Sequence, residues 1–577
     1  MAAVAQMSEY RRKRDTVDVD GLLLRLADLR TKRYNWDTHW SDVARRIWPS
    51  ADEFTGRAKS TRISGGGEKR MTEIFDATGA LALERFAAIM ESINTPQHKI
   101  WHDVQASDDS LNEDPGVKAW FEQVNKILHR ERQRPKANYQ LQMQEGYKSL
   151  GAFGGLPLYL DENPSGGFRY KYCHVNQLYI ELDHMGNVDT IYRVYAMTAH
   201  QAQQKWGDKA GEKVRTALAD NKPYQTYEFL HAVYPRKNVD PESFGTERLP
   251  WVGVYIAIED KHLIEEGGFE EMPYFYARWT VNPSEVYGRS PAMMALPHIK
   301  TANQMQRTFL SAGHKAVDPP LLLPDEGVWS AQGRTIDIRG GGLTYGGLDP
   351  ITGRKLIEPL YTGARLDLTE TMLETERAVI KDWFLVTLFR TLLEDPRSNV
   401  TATEILQRAQ EKGDIIAPQA GRLKSELYGP QIQREVGILL RQGRLPPPPP
   451  ALLEAGGEYE IEYVSEAARL QKSREVLGIR STFEFVTAAS AIDPAARFVM
   501  DMAEASRRVG EYEGTPSDLM RTPDQVAQMM AQEAEKQQAA EQLAIFQQGA
   551  AGAKDATAAL AQAAQAGQTR SATPGAA

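Results

Sequence analysis

The apolar residues of this chain change their period twice, and that pattern limits the fold more than any single motif does. Before about residue 170 they recur at spacings of three and four. Leu22, Leu23, Leu26 and Leu29 follow Asp20, which predicts a helix capped by that aspartate. Trp36, Trp40, Val43 and Ile47 share one face of a second helical segment, and a tryptophan stripe at that spacing reads as core. Ala80, Leu83, Phe86, Ala87, Met90 and Ile93 mark a further helix that stops before Pro96. From about Tyr170 to Thr280 aromatic and β-branched residues take over. Strands are predicted over 178–182 and 190–197, joined as a hairpin across DHMGN, and over 226–235, 251–258 and 273–279. Thr198 is a natural N-cap for HQAQQKW, which follows the hairpin. Strands grouped between helical blocks define an α+β chain.

Helical spacing returns at Ser290-Pro291, with Met293, Leu296, Ile299, Ala302, Met305 and Phe309 in register. Leu366 to Leu393 predicts a second helix of about 28 residues, ~42 Å long. The intervening stretch is rich in Pro and Gly and has short apolar runs at 321–323 and 335–338, so it reads as a loop-and-strand insertion. Asp395-Pro396 ends the second helix, and Thr401 or Thr403 restarts one that is interrupted at Gly413 and Pro418. Five prolines at 446–450 form a polyproline spacer. Beyond Pro523 the chain is mostly Ala and Gln with a thin apolar stripe. That composition predicts a helix stabilised only by neighbouring copies of itself, followed by a disordered end.

A search for chemistry finds no constellation. The single cysteine, Cys173, allows neither a disulfide framework nor a multi-cysteine metal site, and its strand neighbour His174 faces the other way. SGGGEKR (64–70) has Glu68 where a phosphate loop needs Lys, and GGGLTY (340–345) opens no helix. His98 and His102 follow Pro96 without a zinc-binding pattern. Glu374/Glu376 and Glu533/Glu535 read as solvated helix faces. The expectation is a protein with no catalytic residues, no cofactor and no metal. No apolar run approaches the ~18–20 residues of a membrane span. The N-terminus has no apolar signal segment either. With 68 Lys+Arg against 77 Asp+Glu, a net charge of −9 argues against a broadly basic surface that grips nucleic acid.

Several motifs nevertheless stand in a definite order. Tyr287-Gly288-Arg289-Ser290-Pro291 precedes Asp318-Pro319-Pro320, then Thr403-Glu404 with Arg408, then Ser465, and DATGALALERFAAIMESINTP (76–96) comes before them all. From about residue 20 to residue 500 the chain resembles the head-to-tail connector, or portal, proteins of short-tailed double-stranded DNA bacteriophages. The resemblance implies a ring of about twelve copies around a channel at one capsid vertex. It implies a wing formed by residues 1–289, with N-terminal helices and a β-rich region, and by 402–455. The stem helices would be 290–317 and 366–393, with a small α/β clip at 318–365 between them. A channel loop at 394–401, a helical crown at 456–525 and a barrel helix with a disordered tail at 526–577 complete the set.

The resemblance also implies partners: double-stranded DNA passing through the channel, a terminase motor, tail adaptor proteins, and the major capsid and scaffolding proteins, with no membrane. Location would be the virion, with assembly in the host cytoplasm. Lys381, Arg390 and Arg397 are the candidates for touching DNA in the channel. Arg334, Arg339, Arg354 and Lys355 are the candidates for docking partners on the clip. Each of these charges could equally pair within or between subunits. A nucleotide-binding motor component and a non-viral helical scaffold are the competing readings. Under the portal reading, an acidic wall with a few basic rings lets a duplex slide without sticking.

Overall fold

A computed structural model describes residues 17–54, 70–71, 73–112, 114–240, 245–322, 348, 351–360, 366–388, 417–454, 459–462, 466–490, 500–513, 525–533, 535–538 and 561. Helix α1 (Val19–Ile47) joins the two predicted N-terminal segments into one rod of 29 residues. Its cap is Asp18, not Asp20: Asp18 Oδ1 accepts from the Gly21 amide at 2.9 Å. Asp20 falls inside the first turn, where it pairs with Lys261 at 3.1 Å. Leu26, Leu29, Trp40, Val43 and Ile47 are buried along it. Midway, buried Arg33 pairs with Asp37 at 2.8 Å and donates to the carbonyls of Asn176 and Leu178 at 2.7 and 2.6 Å. A buried charge held this way fixes the helix against the start of the sheet, because breaking these bonds would leave the guanidinium uncompensated.

Helix α2 (Thr78–Asn94) buries Leu83, Phe86, Ala87 and Met90 as the spacing predicts. Strand β1 (Asp103–Ala106) leads to α3 (Pro115–Arg132), capped by Asp114 with Pro at its first position. Helix α4 (Tyr139–Phe153) ends at Gly154, whose φ of +78° closes the turn.

Strand β2 (Gly155–Glu162) was not predicted, because the strand region was read from Tyr170 onward. Its first six residues are all buried, so it lacks the alternation that marks a half-buried strand. It lies between β3 (Phe168–Tyr172) and β9 (Tyr274–Arg278) in an antiparallel three-stranded sheet. The other sheet is an antiparallel meander of five strands, in the order β4 (Leu178–Leu182), β5 (Val188–Thr198), β6 (Thr226–Pro235), β7 (Trp251–Ala257) and β8 (His262–Phe269). The β4–β5 hairpin and the strands at 226–235 and 251–257 match the sequence reading. Edge strand β8, half exposed and carrying two glycines, gave no strand signal. One face of the meander packs Tyr192, Val194, Leu230 and Val254 around Leu26 and Leu29 of α1. The other packs Phe229 and Ala257 against α5 (Ala199–Trp206) and α6 (Glu212–Ala219). Thr198 caps α5 through a reciprocal box with Gln201, as expected.

Helix α7 (Pro291–Val317) follows, capped by Ser290. The base of the insertion closes where β10 (Leu321–Leu322) pairs with β11 (Glu358–Pro359). Helix α8 (Leu366–Trp383) returns alongside α7. It has 18 residues, not the 28 predicted, because the chain turns at Leu385, whose φ is +60°. Neither Gly nor Pro marks that break. A helical stretch from 417 passes through a π turn, Lys424–Tyr428, into α9 (Gly429–Arg441), which packs into the N-terminal body. There Arg278 pairs with Glu426 at 2.7 Å, and Arg434 donates to the Leu160 carbonyl at 3.1 Å.

Strand β12 (Tyr459–Glu462) pairs with β1, Asp103 opposite Glu462. Residues 459–462, within the stretch 456–525 expected to form the crown, therefore pair with a strand of the body. The chain divides into two compact units, Met1–Gln471 and Lys472–Ala577. Helix α10 (Glu466–Ser490) spans the division, and α11 (Met502–Glu513) lies in the second unit. The Ala/Gln-rich tail is helical over 525–533 and 535–538, with Met529 and Met530 exposed. The glycine-rich stretches at 64–69 and 340–345, the assigned channel loop 394–401, and Arg334, Arg339, Arg390 and Arg397 all lie outside the described residues.

Candidate functional site

The Tyr287–Pro291 motif is where the helix pair leaves the body. Tyr287 is buried, with its ring 5.2 Å from that of Trp40 and 5.8 Å from that of Trp36. Gly288 lies against the backbone of Gly154. Arg289 Nε is bonded to Glu285 at 2.8 Å. Ser290 Oγ accepts from the Met293 amide at 3.0 Å and donates to the Ala152 carbonyl at 2.8 Å, so one hydroxyl both caps α7 and ties it to α4. Pro291 occupies the first turn, where its missing N–H costs nothing.

Among the described residues, the helix pair is anchored to the body at that end. Buried residues of α7 run from Pro291 to Ala302 and no further. Asn303 accepts from the Asp76 amide at 3.1 Å, and Arg377 pairs with Asp76 at 2.8 Å, so both helices are clamped to the start of α2. Burial acts to raise the Asp76 carboxyl, but hydrogen bonds from Thr78 and then the Arg377 guanidinium outweigh it and hold the carboxyl below its ordinary range. His298 Nδ1 lies 2.8 Å from Glu376, joining α7 to α8.

Beyond Ala302 several apolar side chains of the pair and of the insertion are exposed. Leu310 is 42% exposed, Val317 88%, Ile351 92% and Met372 53%. Leu322, Leu348 and Leu360 continue the exposed apolar surface onto the insertion. Exposed apolar side chains in this number on one helix pair and its insertion are what an interaction face requires.

The two helices are opposite in charge. Helix α7 contains Lys300, Arg307 and Lys315 and no carboxylate. Helix α8 contains five carboxylates, Asp367, Glu370, Glu374, Glu376 and Asp382, against Arg377 and Lys381.

Three of the predicted basic residues can be placed. Arg354 and Lys355 are exposed side by side on the insertion, and Lys355 bridges Leu348 through its backbone. Lys381 is half exposed near the end of α8, about 22 Å along the helix from Leu366. The structure therefore separates the clip candidates from the channel candidate. None of the three has an ion-pair partner among the described residues. The helical stripe read from the sequence ends at Phe309, so it gives no sign of the exposed Leu310 and Val317 that follow.

Among the described residues, no group of three or more His, Cys, Asp or Glu side chains is placed to hold a metal. Nor is any helix among them long and apolar enough to cross a membrane.

A helix pair thus leaves an α+β body, with an insertion joining its two helices. The bacteriophage head to tail connecting protein family matches residues 20–520, and the chain belongs to that family. It is 28% identical over 540 residues to the portal protein of Salmonella phage epsilon15, which covers 92% of this chain and 94% of the relative. It is also 28% identical over 537 residues to the probable portal protein of Bordetella phage BPP-1, at 92% and 93% coverage.

Proposed function

We propose that the chain forms the portal of a phage particle, a ring of about twelve copies whose central channel passes double-stranded DNA during packaging and ejection. The observation that carries this reading is the set of exposed apolar side chains on α7, α8 and the insertion, which neighbouring copies would bury. Charge supports the same arrangement. A ring that sets the carboxylate-free α7 of one copy beside the acidic α8 of the next pairs opposite signs at every interface.

In this reading α7 and α8 are the stem and the insertion at 318–365 is the clip. Arg334, Arg339, Arg354 and Lys355 would meet first the terminase motor and later the tail adaptors. Lys381, Arg390 and Arg397 would form isolated basic rings that touch phosphates without reading sequence. The body would contact the major capsid and scaffolding proteins at one vertex, and assembly would take place in the host cytoplasm. The second unit would supply the crown and barrel.

The test is the mass and shape of the purified full-length protein, by light scattering and negative-stain imaging. A hollow ring of roughly a dozen subunits is expected. A monomer with ATPase activity would favour a motor component instead. Within the ring, Arg397→Ala should alter DNA packaging or retention and leave assembly intact, and loss of assembly would sink the channel assignment.

A further inference from the structure

A cavity of about 700 Å³ opens between the two sheets of the body, away from the helix pair. Strand periodicity builds it. On β3, Arg169 and Lys171 are two residues apart and share a face, opposite Asp161 and Tyr159 of β2. On the facing sheet, Arg193 of β5 pairs in register with His231 of β6. Helix α5 adds Lys205, whose ammonium lies 4.1 Å from the Tyr255 ring centroid.

The charge in this cavity is unbalanced. Four cations, Arg169, Lys171, Arg193 and Lys205, line it against the single carboxylate of Asp161. No ion pair within 4 Å neutralises any of the four among the described residues, and the Asp161 carboxylate is turned to the backbone amide of Glu162 at 3.0 Å. Arg193 is buried, with its guanidinium 4.8 Å from the Tyr195 ring. Cations gathered without counter-ions repel one another, so a fold that keeps them together has a site matched to negative charge.

One buried donor completes the arrangement. In one tautomer of His231 the Tyr274 hydroxyl donates to Nδ1 at 2.7 Å. In the neutral imidazole the remaining N–H is then on Nε2, a buried atom with no partner in the structure. Burial keeps the ring neutral, pushing its pKa well below the ordinary histidine value.

We infer that this cavity binds a phosphate-bearing small molecule, its phosphate held by Arg169, Lys171, Arg193 and Lys205 with His231 Nε2–H as a further donor. The volume lies within the range that admits a nucleotide-sized ligand, and guanidinium and ammonium groups are the usual partners of phosphate oxygens. Inorganic phosphate, pyrophosphate and a nucleotide share this chemistry. The site depends on neither the ring nor the channel.

Isothermal titration of the full-length protein with inorganic phosphate, pyrophosphate and ATP, at fixed ionic strength, tests the inference. Saturable binding of at least one of the three is expected, weakened about tenfold or more in an R169Q/K205Q variant. Both side chains are exposed and free of ion pairs, so the variant should melt like the parent, and R193Q serves as the deeper second probe. ATP binding more tightly than pyrophosphate would identify a nucleotide, and equal affinities an inorganic ion. Absence of saturable binding by the parent protein, or binding undiminished in both variants, overturns the proposal.

Discussion

Gly154 and Gly288 meet backbone to backbone at the root of the helix pair. A Cβ on Gly288 would lie 2.3 Å from the Gly154 carbonyl oxygen, and one on Gly154 would lie 2.2 Å from the Gly288 oxygen. Neither obstacle is a flexible side chain, so any larger residue must push two backbone segments apart. Gly154 also ends α4 with positive φ, and Ser290, two residues after Gly288, is bonded to α4 at Ala152. The motif's glycine is thus explained by the close approach of two chain segments.

Gly288→Ala should therefore destabilise the body by roughly 1–3 kcal/mol, the usual cost of overpacking. The fold should survive, but α7 should leave the body at an altered angle. Thermal melting and the fraction of protein recovered as assembled rings read the two effects. Parent-like values for both would show that the contact relaxes without strain.

Arg132 and Glu435 form a buried pair linking α3 to α9, with Arg132 Nε 2.8 Å from Glu435 Oε2. His102 Nδ1 lies 2.8 Å from the same guanidinium, while Gln431 donates to the other Glu435 oxygen at 2.6 Å and Tyr170 bonds to it as well. Arg132→Met strands an uncompensated carboxylate and should cost about 3–5 kcal/mol. Arg132→Met combined with Glu435→Leu should cost less than the single change, because the orphaned charge goes with its partner. Chemical denaturation of the three proteins decides it, and a double variant weaker than the sum of both singles would contradict the argument.

The contrast between β6 and β2 shows what the sequence could reveal. TYEFLHAVYP is rich in β-branched and aromatic residues, and its predicted ends coincide with the strand. GLPLYL is buried on both faces, and a continuous apolar run carries no period to read. The β1–β12 pair joins two four-residue segments more than 350 residues apart, too short to signal strand and too distant to signal pairing. The end of α8 was hidden because DWFLVTL continues the apolar stripe through the break. In the cationic cavity, Arg169 and Lys171 alternate with Phe168 and Tyr170, which betrays a strand. That Arg193 faces them from another sheet is a fact of tertiary structure alone.

Acid should weaken the body through its histidines. Burial lowers the pKa of His102 and His231 well below the ordinary value and that of His174 to about 4. The unfolded chain then binds more protons than the native one below about pH 6.5. Stability is full above that pH and is lost as pH falls toward 4, His174 alone accounting for about 3 kcal/mol. Melting temperatures at constant ionic strength should drop across this window, and His174→Gln should flatten the drop. An unchanged slope in the variant would assign the acid sensitivity elsewhere.

The exposed apolar side chains make the most direct prediction about assembly. Val317 and Ile351 are 88% and 92% exposed in the single chain, so Val317→Ser and Ile351→Ser remove little internal packing. Each should leave the melting temperature of the unassembled chain within the usual surface range, about 0.5 kcal/mol. In the proposed ring the same side chains would be buried, and replacing a buried valine or isoleucine by serine forfeits roughly 1.5–3 kcal/mol per interface. Repeated at every interface, that loss should move the protein from ring to monomer at micromolar concentration. Light scattering across a dilution series measures the shift. Rings of undiminished stability in both variants would mean that this surface faces something other than a second copy.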